Sequence, residues 1–127
     1  MKINIFKKKI FRNTRGVIAD VIYKNHINHI GYIYSKKNAI RGNHYHKKTS
    51  QYNFVLEGVI NYYLKLKKQK KIKVIKLKKG DLILTKPNEI HAFKTISSKS
   101  IFMVFTLGIR GGKDYEKDTY RVESIVK

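Results

Sequence analysis

"RGNHYHKKTSQYNFVLEG" (residues 41–58) sets two histidines, His44 and His46, one residue apart, follows them with Gln51 and ends on Gly58. Side chains alternate between the faces of a β-strand, so His44 and His46 point to one side and Tyr45 to the other. Two imidazoles on one face can share a metal ion or a substrate. Polar alternation along an exposed strand would produce the same pair, so the surroundings must decide. Gly42 precedes the pair, and "GDLILTKPNEIHAF" (residues 80–93) supplies Gly80, Pro87 and His91 downstream.

Outward from this stretch, a hydrophobic period of two dominates and no segment carries a helical stripe of useful length. "GVIADVIY" (residues 16–23) and "HIGYIYS" (residues 29–35) read as strands rich in β-branched and aromatic residues. "QYNFVLEGVINYYLKLK" (residues 51–67) reads as two strands, or one long strand bent at Gly58. In "LKLKKQKKIKVIKLKKGD" (residues 64–81), Leu64, Leu66, Ile72 and Val74 alternate with lysines about a polar turn, which predicts a hairpin with one wet face. "DLILTKP", "HAFKTIS" and "SIFMVFTLG" continue the series, and "TYRVESIV" (residues 119–126) suits a short terminal strand. Short strands at regular spacing predict an all-β sandwich or barrel, with residues 1–127 forming one domain.

Composition narrows the chemistry. The chain has no cysteine, so thiolate nucleophiles, disulfides and cysteine-ligated metal sites are excluded, and any metal must be held by nitrogen and oxygen ligands. Twenty-nine Lys and Arg against eight Asp and Glu give a formal charge of +21. The excess is mostly lysine spread along the chain, the guanidinium groups that read and stack on bases are few, and no specific nucleic-acid partner is expected. No apolar run has signal-peptide or membrane-spanning length, so the expectation is a soluble, cytoplasmic protein without a membrane partner.

The two blocks resemble the paired signatures of the cupins: a glycine before HxH, an acidic or amide ligand, a glycine, then a glycine, a proline and a histidine. The resemblance covers residues 41–93 and implies a small jelly-roll β-barrel with the residues of both blocks at its mouth. It also implies a ligand set of His44, His46, Gln51 and His91 for a divalent metal (zinc, iron, manganese or nickel) if one is bound. Gln51 stands where a glutamate is usual, and a neutral amide holds such a cation less well than a carboxylate. Glu89 shares the parity of His91 and is a substitute candidate. No cofactor is required on this reading.

"NTRGVIADV" (residues 13–21) and "YSKKNAIRGNHYH" (residues 34–46) are similar to segments of dTDP-4-dehydrorhamnose 3,5-epimerase-like cupins. The pattern HxHKxxxQ and the tail "KDYEKDTYRVE" (residues 113–123) resemble the sugar-nucleotide 3,4-ketoisomerases. The resemblance therefore implies an isomerase or epimerase acting on a nucleotide-linked 4-keto-6-deoxy sugar, with dTDP the expected nucleotide, for surface polysaccharide or glycoconjugate synthesis. The proton beside a ketone is acidic, so such a reaction needs a base, stabilisation of the enolate and an acid. Imidazoles titrate near neutral pH and suit both transfers.

By the resemblance His44 takes the place of the base and His46 is a second proton carrier, with a tyrosine as partner acid. Tyr34 is the candidate acid, while Tyr32, Gln51, Arg15 and Arg41 are expected to bind substrate. The two arginines would grip the diphosphate, which a planar guanidinium does in bidentate fashion. His26 and His29 lie outside the signature spacing and read as loop or surface residues. A homodimer is expected, paired through edge strands with exchange of an N-terminal segment that includes "INIF" (residues 3–6). The competing readings are a metal-dependent cupin enzyme, such as a dioxygenase or lyase, and a non-catalytic sugar-binding cupin.

Overall fold

The structure, a computed structural model, describes residues 4–6, 9–109, 111–114 and 116–127; Ile3 of the first predicted strand and Tyr115 of the tail lie outside them. Twelve strands form in chain order: β1 (Asn4–Phe6), β2 (Lys9–Asn13), β3 (Gly16–Asp20), β4 (His29–Lys36), β5 (Ile40–Tyr45), β6 (Ser50–Glu57), β7 (Val59–Leu66), β8 (Lys73–Lys78), β9 (Leu82–Thr85), β10 (Glu89–Thr95), β11 (Lys99–Leu107) and β12 (Tyr120–Arg121). They make two five-stranded sheets, ordered β1-β9-β6-β11-β4 and β12-β5-β10-β7-β8, and a separate β2–β3 hairpin. The predicted terminal strand is only the two residues of β12, and a 3₁₀ turn, Gly112–Asp114, precedes it.

Gly58 divides the long apolar stretch into two strands that belong to different sheets. Its φ is +91°, a conformation open to glycine and strained for other residues, and a methyl group there would lie 2.3 Å from the Lys99 carbonyl oxygen. Side chains of both sheets meet between them. Val55, Ile83, Phe102 and Val104 from the first pack against Ile60, Tyr62, Leu64, Leu77 and Phe93 from the second. Each large side chain so buried contributes about 1.5–3 kcal/mol. The Tyr62 hydroxyl, carried into this interior, is satisfied by the Thr85 hydroxyl at 2.8 Å.

The outer face of the second sheet is closed by the C-terminal segment, whose Ile125 packs on Tyr63, Ile90 and Ala92. The first sheet is less covered: on its edge strand β4, Ile30 is 62% and Tyr32 72% exposed. The β2–β3 hairpin likewise leaves Phe11 and Ile18 exposed. Among the described residues no helix is long and apolar enough to cross a membrane.

Candidate functional site

The strand β5 that carries the first signature is irregular. Arg41 pairs with Phe93 and Gly42 with Ala92, but His44 pairs with His91, so Asn43 is one residue too many. Gly42 and Asn43 both take positive φ, +98° and +56°. This is a β-bulge, and it turns the strand over by one residue. Arg41 and His44, three apart and so of opposite parity, therefore reach the same cavity. Gly42 is also the point of closest approach, since a methyl group there would meet the His91 carbonyl oxygen at 2.8 Å.

His44, His46 and His91 converge. Ring centroids are 4.9 Å apart for His44 and His46, 4.7 Å for His44 and His91, and 5.3 Å for His46 and His91. All three are buried. His46 Nδ1 donates to the Asp118 carbonyl at 2.7 Å and His91 Nδ1 donates to the Glu89 carbonyl at 3.0 Å. A carbonyl only accepts, so in both rings the proton sits on Nδ1 and the Nε2 lone pair is the one available for chemistry. One ring nitrogen from each histidine lies within 4.8 Å of the other two. Three nitrogens on a tetrahedral zinc stand about 3.3 Å apart, so a modest inward movement of the rings would seat a cation. The donor set fits a metal.

Asp118 holds this arrangement from the C-terminal side. Its carboxylate accepts from the amides of Lys47, Lys48 and Thr49 and from the Thr49 hydroxyl, while its carbonyl fixes His46. Burial alone would raise the carboxyl, but the Thr49 hydroxyl and the three amides outweigh it and hold Asp118 below the usual carboxylate range. Glu89 behaves oppositely. Burial raises it, and the Lys86 amide, donating to Oε1 at 2.7 Å, and the Lys86 charge only partly compensate. Its side chain turns to Lys86, and it is not one of the residues of the histidine cluster.

A cavity of about 590 Å³ opens beside the cluster, lined by His44, Gln51, Asn53, His91, Arg41 and Arg121 together with Phe93, Phe102, Val104 and residues of β4. His46 is not in its wall and reaches it only through the other two rings. Arg41 spends Nε on the Ser35 hydroxyl at 2.7 Å and Nη2 on the Tyr34 carbonyl at 3.1 Å, two of its five N–H donors. Arg121 is opposite His44 in the β12–β5 ladder and is paired with Glu116.

Tyr34, Arg15 and His29 are placed otherwise than the sequence predicts, and Tyr32 reaches the cavity only at its edge. Tyr34 lies outside the cavity, 47% exposed, because β4 turns its odd-numbered side chains inward. Tyr32 shares that outward parity and touches only the rim, at 72% exposure. Arg15 sits in the exposed β2–β3 turn, with its amide on Asn13 Oδ1, and does not line the cavity of its own chain. His29, expected at the surface, opens β4 and lines the cavity, with Nδ1 3.3 Å from the Thr106 hydroxyl. Its ring packs beside Gly31 and Gly111, where a methyl group would come within 3.3 and 2.8 Å of it. Its signal was present in the sequence: it has the parity of Gly31, Ile33 and Ser35, the inward face of the strand. Arg121 had no such signal, since only the ladder with β5 brings it in.

Two facing sheets with paired histidine blocks at one end define the cupin class. The cupin domain profile matches residues 32–107, more than half of the chain, and the chain belongs to that family. Its fold is similar to that of QdtA, a sugar 3,4-ketoisomerase from Thermoanaerobacterium thermosaccharolyticum solved with TDP: TM-score 0.80, 20% identity, covering 95% of this chain and 88% of that one. It is also similar to the dTDP-4-dehydrorhamnose 3,5-epimerase of Sulfolobus tokodaii, with TM-score 0.78, 19% identity, and 98% and 82% covered. A third is the epimerase RmlC of Legionella pneumophila in complex with dTDP-4-keto-L-rhamnose, with TM-score 0.78, 13% identity, and 97% and 73% covered. A comparison with curated protein sequences gives no significant match.

Proposed function

We propose that the protein is an isomerase or epimerase of a nucleotide-linked 4-keto-6-deoxy sugar, with dTDP as the nucleotide. One observation carries the reading: a single cavity is lined by His44 together with Arg41 and Arg121. Guanidiniums match a diphosphate, and an imidazole can take the proton beside a ketone. Cavities of 300–1,000 Å³ hold ligands of this size. The similar folds include proteins solved with TDP or a dTDP-keto sugar, and a formal charge of +21 would draw a dianionic substrate.

In this reading His44 removes the proton from the carbon beside the ketone, and the electron pair moves onto the ketone oxygen as an enolate. Returning a proton to the other face of that carbon epimerises it; delivering it to the former carbonyl carbon, while the proton of the neighbouring hydroxyl passes to the enolate oxygen, moves the ketone. His46, behind His44 and fixed by the Asp118 carbonyl, acts as the second proton carrier. Gln51 binds the sugar. Tyr32 at the rim replaces Tyr34 as the tyrosine placed to reach a ligand. Arg15 would enter the cavity of a second copy in a homodimer, which the exposed Phe11, Ile18, Ile30 and Tyr32 support.

Incubation with dTDP-4-keto-6-deoxyglucose in deuterated water tests the reading. Deuterium at the carbon next to the ketone is expected; absence of exchange together with absence of dTDP binding would sink it. The histidine cluster favours a second reading, a metal-dependent cupin enzyme. His44, His46 and His91 would hold the cation, Gln51 would complete the set, and the cation would supply Lewis-acid polarisation of a substrate oxygen. Stoichiometric metal in the purified protein, with activity lost to a chelator and restored by one metal, would select it.

A further inference from the structure

Asn53 follows Gln51 by two residues on β6, so both amides face the cavity. They are 2% and 3% exposed, and the NH2 group of each, Nδ2 of Asn53 and Nε2 of Gln51, has no hydrogen-bond partner among the described residues. Across the sheet Asn53 is flanked by Ile83 and Val104, and Phe93 and Phe102 complete that part of the wall. An apolar side chain would suit these neighbours better. A buried donor without an acceptor lowers the stability of the folded chain, so its presence in an apolar wall points to an acceptor that arrives with a ligand.

The chemistry of the wall selects that acceptor. A phosphate would lose its hydration among Phe93, Phe102 and Val104, and the exposed Arg41 and Arg121 offer it a better place on the same cavity. A neutral ring with hydroxyl and keto oxygens, apolar on its faces and accepting at its edge, matches two amides set between aromatic and aliphatic side chains.

We propose that Asn53, together with Gln51, reads the sugar ring: its amide donates to a hydroxyl or keto oxygen of the hexose and thereby determines which sugar is accepted. This rests on the nucleotide-sugar reading above. The role is one of specificity, separate from proton transfer at His44.

Calorimetric titration of the full chain with dTDP and with unreactive dTDP-glucose separates the two ideas, using wild type, Asn53→Leu and Asn53→Ala. In both variants dTDP should bind as in wild type, while dTDP-glucose should bind about tenfold more weakly, equivalent to about 1.4 kcal/mol. The thermal midpoint of Asn53→Leu should not fall, because removing an unsatisfied buried donor favours the folded state. Should the leucine crowd the site, Asn53→Ala carries the comparison. Equal weakening of both ligands, unchanged dTDP-glucose binding, or a lowered midpoint in both variants would overturn the assignment and make Asn53 a structural residue. A wild type that binds dTDP and dTDP-glucose equally would overturn it too while leaving the nucleotide site standing. Binding of neither would remove the nucleotide-sugar reading, and this inference with it.

Discussion

His44 stands directly across the β5–β10 ladder from His91, its ring edge-on to the other with centroids 4.7 Å apart. That pairing exists because Asn43 is bulged out of the ladder. In an unbroken strand Asn43 would occupy the place of His44, and the two signature histidines would face away from the cavity.

His44→Asn tests the base directly. The substitution keeps a polar group of similar reach and removes the imidazole. Solvent-deuterium exchange into a dTDP-4-keto sugar should fall about 10²- to 10⁴-fold while dTDP affinity stays near that of wild type. Parallel loss of both would make His44 a binding group, and unchanged exchange would move the base elsewhere.

Deletion of Asn43 should destabilise the fold more than substitution at the same place. Asn43→Gly keeps the extra residue and loses only the side-chain bond to the Ile125 amide, a loss of about 1 kcal/mol. The deletion leaves His44 directly after Gly42 and still across from His91, but it also removes the Asn43 carbonyl that accepts from the Val122 amide, so the segment carrying Asp118 and Arg121 loses both of its bonds to Asn43. The glycine variant should retain measurable turnover, and the deletion should lower the urea midpoint further, by the loss of a second bond of about 1 kcal/mol.

These two variants mark what was legible in the sequence. The HxH pair, Gln51, Gly58, Gly80, Pro87 and His91 specify a cupin because their spacings reflect turns and paired strands that the fold requires. Parity placed His44 and His46 together without help. The same parity on β4 would have found His29 and set aside Tyr34, and on β6 it would have found Asn53 beside Gln51. The bulge was not legible: a surplus residue is defined only against a partner strand far away in sequence. Arg121 and Asp118 were hidden for the same reason, since each reaches the histidines through a contact made some 70 or more positions along the chain.

Asp118→Ala removes the acceptor of three amides and of the Thr49 hydroxyl. With each unpaired buried donor costing about 1–3 kcal/mol, a loss of at least about 3 kcal/mol is expected in urea unfolding at neutral pH. Because the folded-state pKa is lowered, the ionised carboxylate stabilises the fold above the ordinary value of about 3.9, and that contribution is lost as pH falls through the lower folded value. The gap between wild type and variant should therefore narrow below about pH 4.

Glu89→Gln has the opposite sign. Its folded pKa is raised, so its contribution is present below the unfolded value of about 4.3 and lost as pH rises through the folded one. The amide keeps an acceptor for the Lys86 N–H and carries no buried charge. Relative to wild type, the variant should gain stability as pH rises from about 4.3 through the raised folded value and then level off, read as the difference in urea midpoints. A difference that is flat with pH would refute the raised pKa.

Ile18→Lys places a charge in the middle of the exposed hairpin. In a chain already at +21, a dimer that buries this hairpin should separate, seen as a halved mass in sedimentation equilibrium. A mass equal to one chain in the wild type would remove the second copy from the site, and Arg15 with it.

The histidine cluster is completed from the far end of the chain. Asp118 positions His46, Arg121 lies against His44, and the Val122 and Ile125 amides bond to Asn43. The same bonds can open locally while both sheets stay paired, so the Val122 and Ile125 amides should exchange hydrogen faster than those of the core strands, and His46 can lose its support without global unfolding.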